Sequence, residues 1–279
     1  MSIKEVIREL LPPIVLRPFK KKRVAIVPST SPEVHRVLGG PLFGGRLYAD
    51  IGRPAFKDMV QGAYDTFLWS TVHEPWASGV ILDVGAHIGY HSLCFASLQP
   101  ACDIVAFEPN PVNIERFRHN VGLNDQLARR ISLRPLALSD TEGRSVFNAS
   151  SNIDDQTSSG GYIEHARPPL DPMIYERSGF ARFEVQVHRL DTLAATEVWP
   201  VIRAIKIDVE GAEHLVLTGA QHILKRDHPL LLLEIHSAVC MMEVLKLLLP
   251  LGYAVELLHE DRPGRCFISA KWSGVLSQG

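Results

Sequence analysis

The sequence predicts an α/β fold: a mostly parallel sheet with helices on both faces. Three observations lead to it. From residue 79 onward, short apolar runs at 80–84, 103–107, 131–138, 202–207 and 230–235 read as strands buried on both sides. Stretches of helical spacing and length, 90–98, 112–121, 212–224 and 238–249, alternate with them, and the first three each link two parallel strands. The composition, 46% hydrophobic and 22% charged over 279 residues, is that of a globular chain with a sizeable core; it excludes disorder, collagen-like repeats and a coiled coil as the main state.

The remaining segments fit around that alternation. Residues 1–78 lack a clear period and carry Pro28, Pro32, Gly39-Gly40-Pro41 and Gly44-Gly45, which predicts an appendage of short helices and loops before a domain spanning 79–279. The apolar stretch 10–16 is broken by Pro12-Pro13, and its basic cluster 20–23 follows it rather than precedes it, the wrong order for a signal peptide. No run approaches the roughly 18 apolar residues of a membrane span. Residues 144–188 interrupt the rhythm and read as an insertion, with a polar run at 150–161 and an alternating antiparallel strand at 180–187. Runs at 253–258 and 265–269, either side of Pro263-Gly264, close the sheet as a hairpin. Lys plus Arg is 29 against 31 for Asp plus Glu, a net charge of -2, so no positive field advertises nucleic acid. Four cysteines without a CxxC pair predict reduced thiols and a cytoplasmic protein. Oligomeric state has no signature here.

The chemistry concentrates at strand ends. In Ile81-Leu82-Asp83-Val84-Gly85-Ala86-His87-Ile88-Gly89, an acid near a strand end precedes two glycines that open a helix. A dinucleotide loop would carry G-x-G-x-x-G here, so that the helix N-terminus meets a pyrophosphate. That triplet is missing, and Asp83 would repel a phosphate, which suits a cofactor bearing a cationic amino group. Glu108 ends the next strand, where a carboxylate commonly grips a ribose diol. The plain alternative is that both acids cap adjacent helices.

This acid pairing resembles class I S-adenosylmethionine (SAM) methyltransferases. The resemblance narrows to the FkbM family of SAM-dependent methyltransferases when further residues are added: Phe107-Glu108-Pro109-Asn110-Pro111, Asn120 and Asn124, Ala137-Leu138-Ser139-Asp140, Ile205-Lys206-Ile207-Asp208-Val209-Glu210-Gly211-Ala212-Glu213 and Glu234-Ile235-His236. It covers about residues 62–240. It implies a Rossmann-like fold, with a mostly parallel seven-stranded sheet ending in an antiparallel hairpin, and O-methylation of a hydroxyl on a small metabolite, sugar, glycolipid or polyketide. By the same resemblance Gly85, Ala86, His87 and Gly89 wrap the methionine part of SAM, and Glu108, with Pro109 and Asn110, holds the ribose. Ser139 and Asp140 lie beside the adenine, and Asp208 faces the methyl group. The family usually has Asn where this chain has His87, which alters one contact of that loop.

An attacking alcohol must lose its proton, so a base or a metal is expected. Asp208, Glu234 and His236 fall at the C-terminal ends of neighbouring strands, where open α/β sheets bind ligands. His236 with these acids can take the proton, or the three can hold a divalent cation, Mg²⁺ or Mn²⁺, that acidifies the hydroxyl. The rival reading of Asp208 is an acid that starts the following helix, and Glu210 and Glu213 read as charges at that helix start. His87 and His91 are four apart, but the turn at Gly89 separates them. Tyr64 and Asp65, just before the motif region, are placed to close over the cofactor. The insertion is expected to cover the acceptor pocket. Two rivals remain: a nicotinamide-dependent dehydrogenase, disfavoured by Asp83 and the missing triplet, and a non-catalytic binding or scaffold module, disfavoured by the intact acids.

Overall fold

A computed structural model describes residues 31–150, 161–164, 180–262 and 265–274. The basic cluster 20–23, nearly all of the polar run 150–161 and the Pro263-Gly264 turn lie outside them. The described chain begins with a hairpin, β1 (Glu33–Arg36) and β2 (Arg46–Ala49), then α1 (Pro54–Gln61) and α2 (Thr66–Trp69). The alternating core follows: β3 (Gly79–Val84), α3 (Tyr90–Leu98), β4 (Cys102–Phe107), α4 (Pro111–Gly122), α5 (Asp125–Ala128) and β5 (Ile131–Arg134). Next come β6 (Ala137–Leu138), β7 (Gly143–Ser150), β8 (Tyr162–Ile163), β9 (Phe180–His188) and α6 (Leu190–Glu197). The chain ends through β10 (Ile202–Ile207), α7 (Glu213–Thr218), α8 (Gln221–Asp227), β11 (Leu230–Ile235), α9 (Ala238–Leu248), β12 (Tyr253–Arg262) and β13 (Arg265–Trp272).

Seven strands form the central sheet in the order β12-β13-β11-β10-β3-β4-β5. Its five middle and far strands are parallel, and β13 and β12 run antiparallel at one edge, as the sequence predicts. Both faces are covered, which is why β3 reads as apolar sequence apart from Asp83. Val80, Leu82 and Val84 pack on one face with α6, α8 and α9 through Leu190, Ile223, Leu224 and Val244. Ile81 packs on the other with Leu93 and Phe95 of α3. Each such side chain fully removed from water contributes about 1.5–3 kcal/mol. Local signals set the helix starts: Asn110 accepts from Val112 N ahead of Pro111, and Ser237 accepts from Cys240 N.

Three expectations are corrected, and the insertion strand, antiparallel as expected, is given its sheet. The segment before residue 79 contains a β-hairpin as well as helices, and it is packed into the core: Val37, Leu47, Phe56, Leu68 and Trp69 share the cluster of Ile81 and Leu93. This cover explains why α3 is buried from Tyr90 through Ala96. The predicted strand 131–138 divides at Pro135, which has no N–H for a ladder; β5 stays in the central sheet, while β6 pairs with β9. The insertion strand joins a separate four-stranded sheet, order β6-β9-β7-β8, with β9 antiparallel to β7 over its full length. The predicted helix 212–224 breaks around Gly219, where a Cβ would stand 2.1 Å from the Ser139 carbonyl oxygen. No helix among the described residues is long and apolar enough to cross a membrane.

Candidate active site

The turn after β3 is built by close backbone approach. Gly85 has φ 76, and a Cβ there would lie 1.8 Å from the Asp208 carbonyl oxygen, so this position accepts only glycine. Gly85 N and Ala86 N both donate to Phe107 O at 3.0 Å, which pulls the turn against the end of β4. His87 also takes a left-handed φ, 51, a region that Asn and His tolerate better than most residues. Its N–H donates to Glu108 Oε2 at 2.9 Å, and Asn110 N donates to Glu108 Oε1 at 2.9 Å. Glu108 is therefore held by one backbone donor on each oxygen. Burial pushes its carboxyl up to about 7, against the pull of those two hydrogen bonds.

A cavity of about 760 Å³ opens beside this turn. Of the residues expected at the site, Gly85, Ala86, His87, Glu108, Pro109, Asp208 and Glu234 line it. Six others stand back from the lining. Asp83 is fully buried, accepts from Ser92 Oγ at 2.5 Å and lies 3.4 Å from Lys206 Nζ, so its charge is answered inside the protein. Gly89 forms the entry to α3, with φ 87, and Asn110 caps α4. Ser139 is buried, donating its N–H to His188 O and its hydroxyl to Asp140 Oδ1, while Asp140 O accepts from Arg189. Leu136, Ala137 and Leu138 border the cavity where the resemblance places the adenine contacts. The separation follows from Pro135, which sends residues 137–140 into the second sheet.

His236 is the sixth, set behind the carboxylates. Its Nδ1 is 2.8 Å from Glu213 Oε1, and its Nε2 is 3.3 Å from Glu210, 3.5 Å from Glu234 and 3.7 Å from Asp208. Burial works against a charged imidazole, but these carboxylates outweigh it and raise its pKa. Glu213 is fully buried, and it also accepts from Gly211 N at 2.9 Å and Cys240 Sγ at 2.9 Å. It is therefore far more than a helix-start charge. Burial alone would raise Asp208, yet Lys206 and His236 hold it below its ordinary range. Burial and the Asp208 charge push the Glu234 carboxyl well up, against the opposing pull of the Arg265 guanidinium. Arg265 forms an ion pair with Glu234. Asp208, Glu234 and His236 each offer one ligand atom, all within 4.8 Å of one another.

Several site residues were not read from the sequence. Lys206 is 4% exposed, donates to Gly85 O at 2.9 Å and stands 3.7 Å from Asp208. Its signal was present: a lysine inside the otherwise apolar 204–207 run. Phe56 and Met59 also line the cavity, with Phe56 stacked on the His87 ring at 6.0 Å. Burial lowers His87 to about 4, and its Nε2 has no hydrogen-bond partner among the described residues. From the insertion, Phe147, Gly161 and Ile163 reach the cavity wall.

A mostly parallel seven-stranded sheet with an antiparallel edge hairpin, a glycine turn after β3 and a carboxylate ending β4 define a class I methyltransferase. The chain belongs to the FkbM family: the Methyltransferase FkbM domain matches residues 83–254. Among curated relatives it is 31% identical over 149 residues to the 2-O-methyltransferase NoeI of Sinorhizobium fredii, covering 53% of this chain and 59% of that protein. It is 26% identical over 183 residues to the hexuronic acid methyltransferase AglP of Haloferax volcanii, covering 66% of each. It thus spans only part of the length of these relatives. A crystal structure of methyltransferase FkbM from Methylobacillus flagellatus shares the fold, with TM-score 0.50, 16% identity and coverage of 79% of this chain and 59% of that one.

Proposed function

We propose that the protein transfers a methyl group from SAM to a hydroxyl of a sugar or similarly hydroxylated metabolite. The observation that carries this reading is Glu108: a cavity-facing carboxylate beside the glycine turn, fixed by one backbone donor on each oxygen and still able to accept two ribose hydroxyls. The cavity has room for a nucleoside and a second ligand. Leu136 to Leu138 offer an apolar bed for a base, and the acids at the ends of β10 and β11 suit a sulfonium cation. SAM supplies an electrophilic methyl group. The chain's own part is to hold donor and acceptor in line and to keep water out of the gap. The second sheet, through Phe147, Gly161 and Ile163, is our candidate cover for the acceptor. The name of NoeI, a 2-O-methyltransferase, points to a hydroxyl acceptor, and that of AglP to a hexuronic acid.

Calorimetry is expected to show binding of SAM or its demethylated product and none of NAD. Incubation with SAM and a panel of glycosides and hexuronides is expected to yield a product heavier by one methylene. Tight NAD binding without SAM binding overturns the assignment. A second reading is favoured by the clustering of Asp208, Glu234 and His236 ligand atoms: these three hold Mg²⁺ or Mn²⁺, which would acidify the acceptor hydroxyl. Loss of turnover in chelator, restored by Mn²⁺, selects it; turnover indifferent to chelator removes it.

A further inference from the structure

A second histidine–carboxylate pair borders the cavity, separate from the acids at the ends of β10 and β11. His91, in the first turn of α3, has Nε2 3.0 Å from Asp65 Oδ2, and the two side chains are only 10% and 12% exposed. His91 lines the cavity, as does Tyr64. The imidazole is packed among Tyr64, Trp69 and Tyr90, with ring centroids 5.8, 5.6 and 5.7 Å away, so its orientation is fixed from several sides.

Asp65 stands at the N-cap of α2, where an aspartate ordinarily turns its carboxylate back onto the helix's own N–H groups. It makes no such bond. Its backbone sits in the left-handed region, φ 48 and ψ 39, and its side chain is committed to His91 instead. With Nε2 engaged, and no other hydrogen bond to the ring among the described residues, Nδ1 is the nitrogen left open. The other histidines near the site are less suited. His236 has carboxylates around both nitrogens, which leaves neither turned to an acceptor, and His87 is buried and a weak base.

We propose that His91 is the general base of methyl transfer and that Asp65 is its positioning residue, an inference that rests on the O-methyltransferase reading. The acceptor oxygen attacks the methyl carbon with a lone pair, and the carbon–sulfur bond breaks with its electrons remaining on sulfur. The hydroxyl proton passes to His91 Nδ1. Asp65, bonded at Nε2, fixes the tautomer that leaves Nδ1 bare and stabilises the imidazolium that results, the division of labour of a histidine–aspartate pair.

His91→Gln keeps a donor for Asp65 but has no basic nitrogen, and Asp65→Asn suits the left-handed backbone but removes the charge. With SAM and the panel of glycosides and hexuronides, His91→Gln is expected to keep its melting temperature and its affinity for the demethylated product within about twofold. Its kcat should fall about a hundredfold or more, with a smaller change in acceptor KM. Asp65→Asn should lose kcat in the same direction, and free imidazole should restore part of the rate of His91→Ala. Histidine ¹⁵N spectra of the wild type should show neutral His91 protonated at Nε2, its signal assigned by its loss in His91→Gln or, if that fails to fold, His91→Asn. Near-wild-type kcat in His91→Gln, or a neutral ring protonated at Nδ1, overturns the proposal. If the wild type binds the demethylated product but methylates nothing in the panel, the sugar-hydroxyl reading fails, while the tautomer still decides the pair.

Discussion

Glu108 ties its proposed cofactor-binding role to the pH dependence of stability. Burial raises its carboxyl from the ordinary 4.5 to about 7 in the folded protein. Between those two values the folded chain keeps a proton that the unfolded chain has released, so stability falls as pH rises. The contribution is full below 4.5 and lost above about 7, and at about 1.4 kcal/mol per pH unit it amounts to about 3 kcal/mol. Glu108→Gln isolates it, because glutamine does not titrate. The amide has a single acceptor oxygen, so one of the two donors, His87 N or Asn110 N, loses its partner at a pH-independent cost of about 1–3 kcal/mol. Urea unfolding followed by tryptophan fluorescence, at steps from about pH 4.5 to about pH 8, should show the wild type ahead at the acid end. That advantage should shrink by about 3 kcal/mol toward the alkaline end. Ribose hydroxyls donate to the ionised form, so SAM should stabilise the wild type increasingly across the same interval and the variant far less. A wild-type minus variant difference that stays flat with pH would refute the reasoning.

Three other single variants, one of them also tested in a double, probe the site around that carboxylate. Gly85→Ala forces a Cβ to 1.8 Å from Asp208 O at φ 76 and should cost on the order of 4 kcal/mol, seen as loss of cooperative unfolding or a sharply lower midpoint by circular dichroism. Lys206→Met strands the Asp83 charge and should cost about 3–5 kcal/mol, whereas the double variant with Asp83→Asn should recover much of it; strictly additive losses would show that the pair is uncoupled. Phe147→Ala should raise acceptor KM while leaving SAM affinity within about twofold in calorimetry, and an unchanged KM would take the second sheet out of the acceptor site.

What could be read from the sequence, and what could not, divides along one physical line. Strands β3, β4, β10 and β11 declare themselves because a parallel strand covered on both faces must be predominantly apolar, and the turn after β3 declares itself because only glycine fits at Gly85. Glu108 and Asp208 were legible for the same reason: a charged residue ending an apolar run is conspicuous. The N-terminal hairpin was missed because its two strands are four residues each, too short for a period to show among so many turn residues. The partners of the site histidines have no periodic signature at all. Asp65 meets His91 across 26 residues, Glu213 meets His236 across 23, and Lys206 meets Gly85 across 121. Each pair exists only because the sheet order sets β10 between β3 and β11 and the N-terminal segment packs over α3. His236, which its place after β11 marks as a base, is thereby buried among acids that crowd both ring nitrogens, and His91, separated from His87 by the turn at Gly89, is brought to the cavity with one nitrogen committed and the other open. Strand-end chemistry thus marks the cavity we propose for the donor, while the residue proposed to take the acceptor's proton is set by tertiary contacts that no spacing in the chain records.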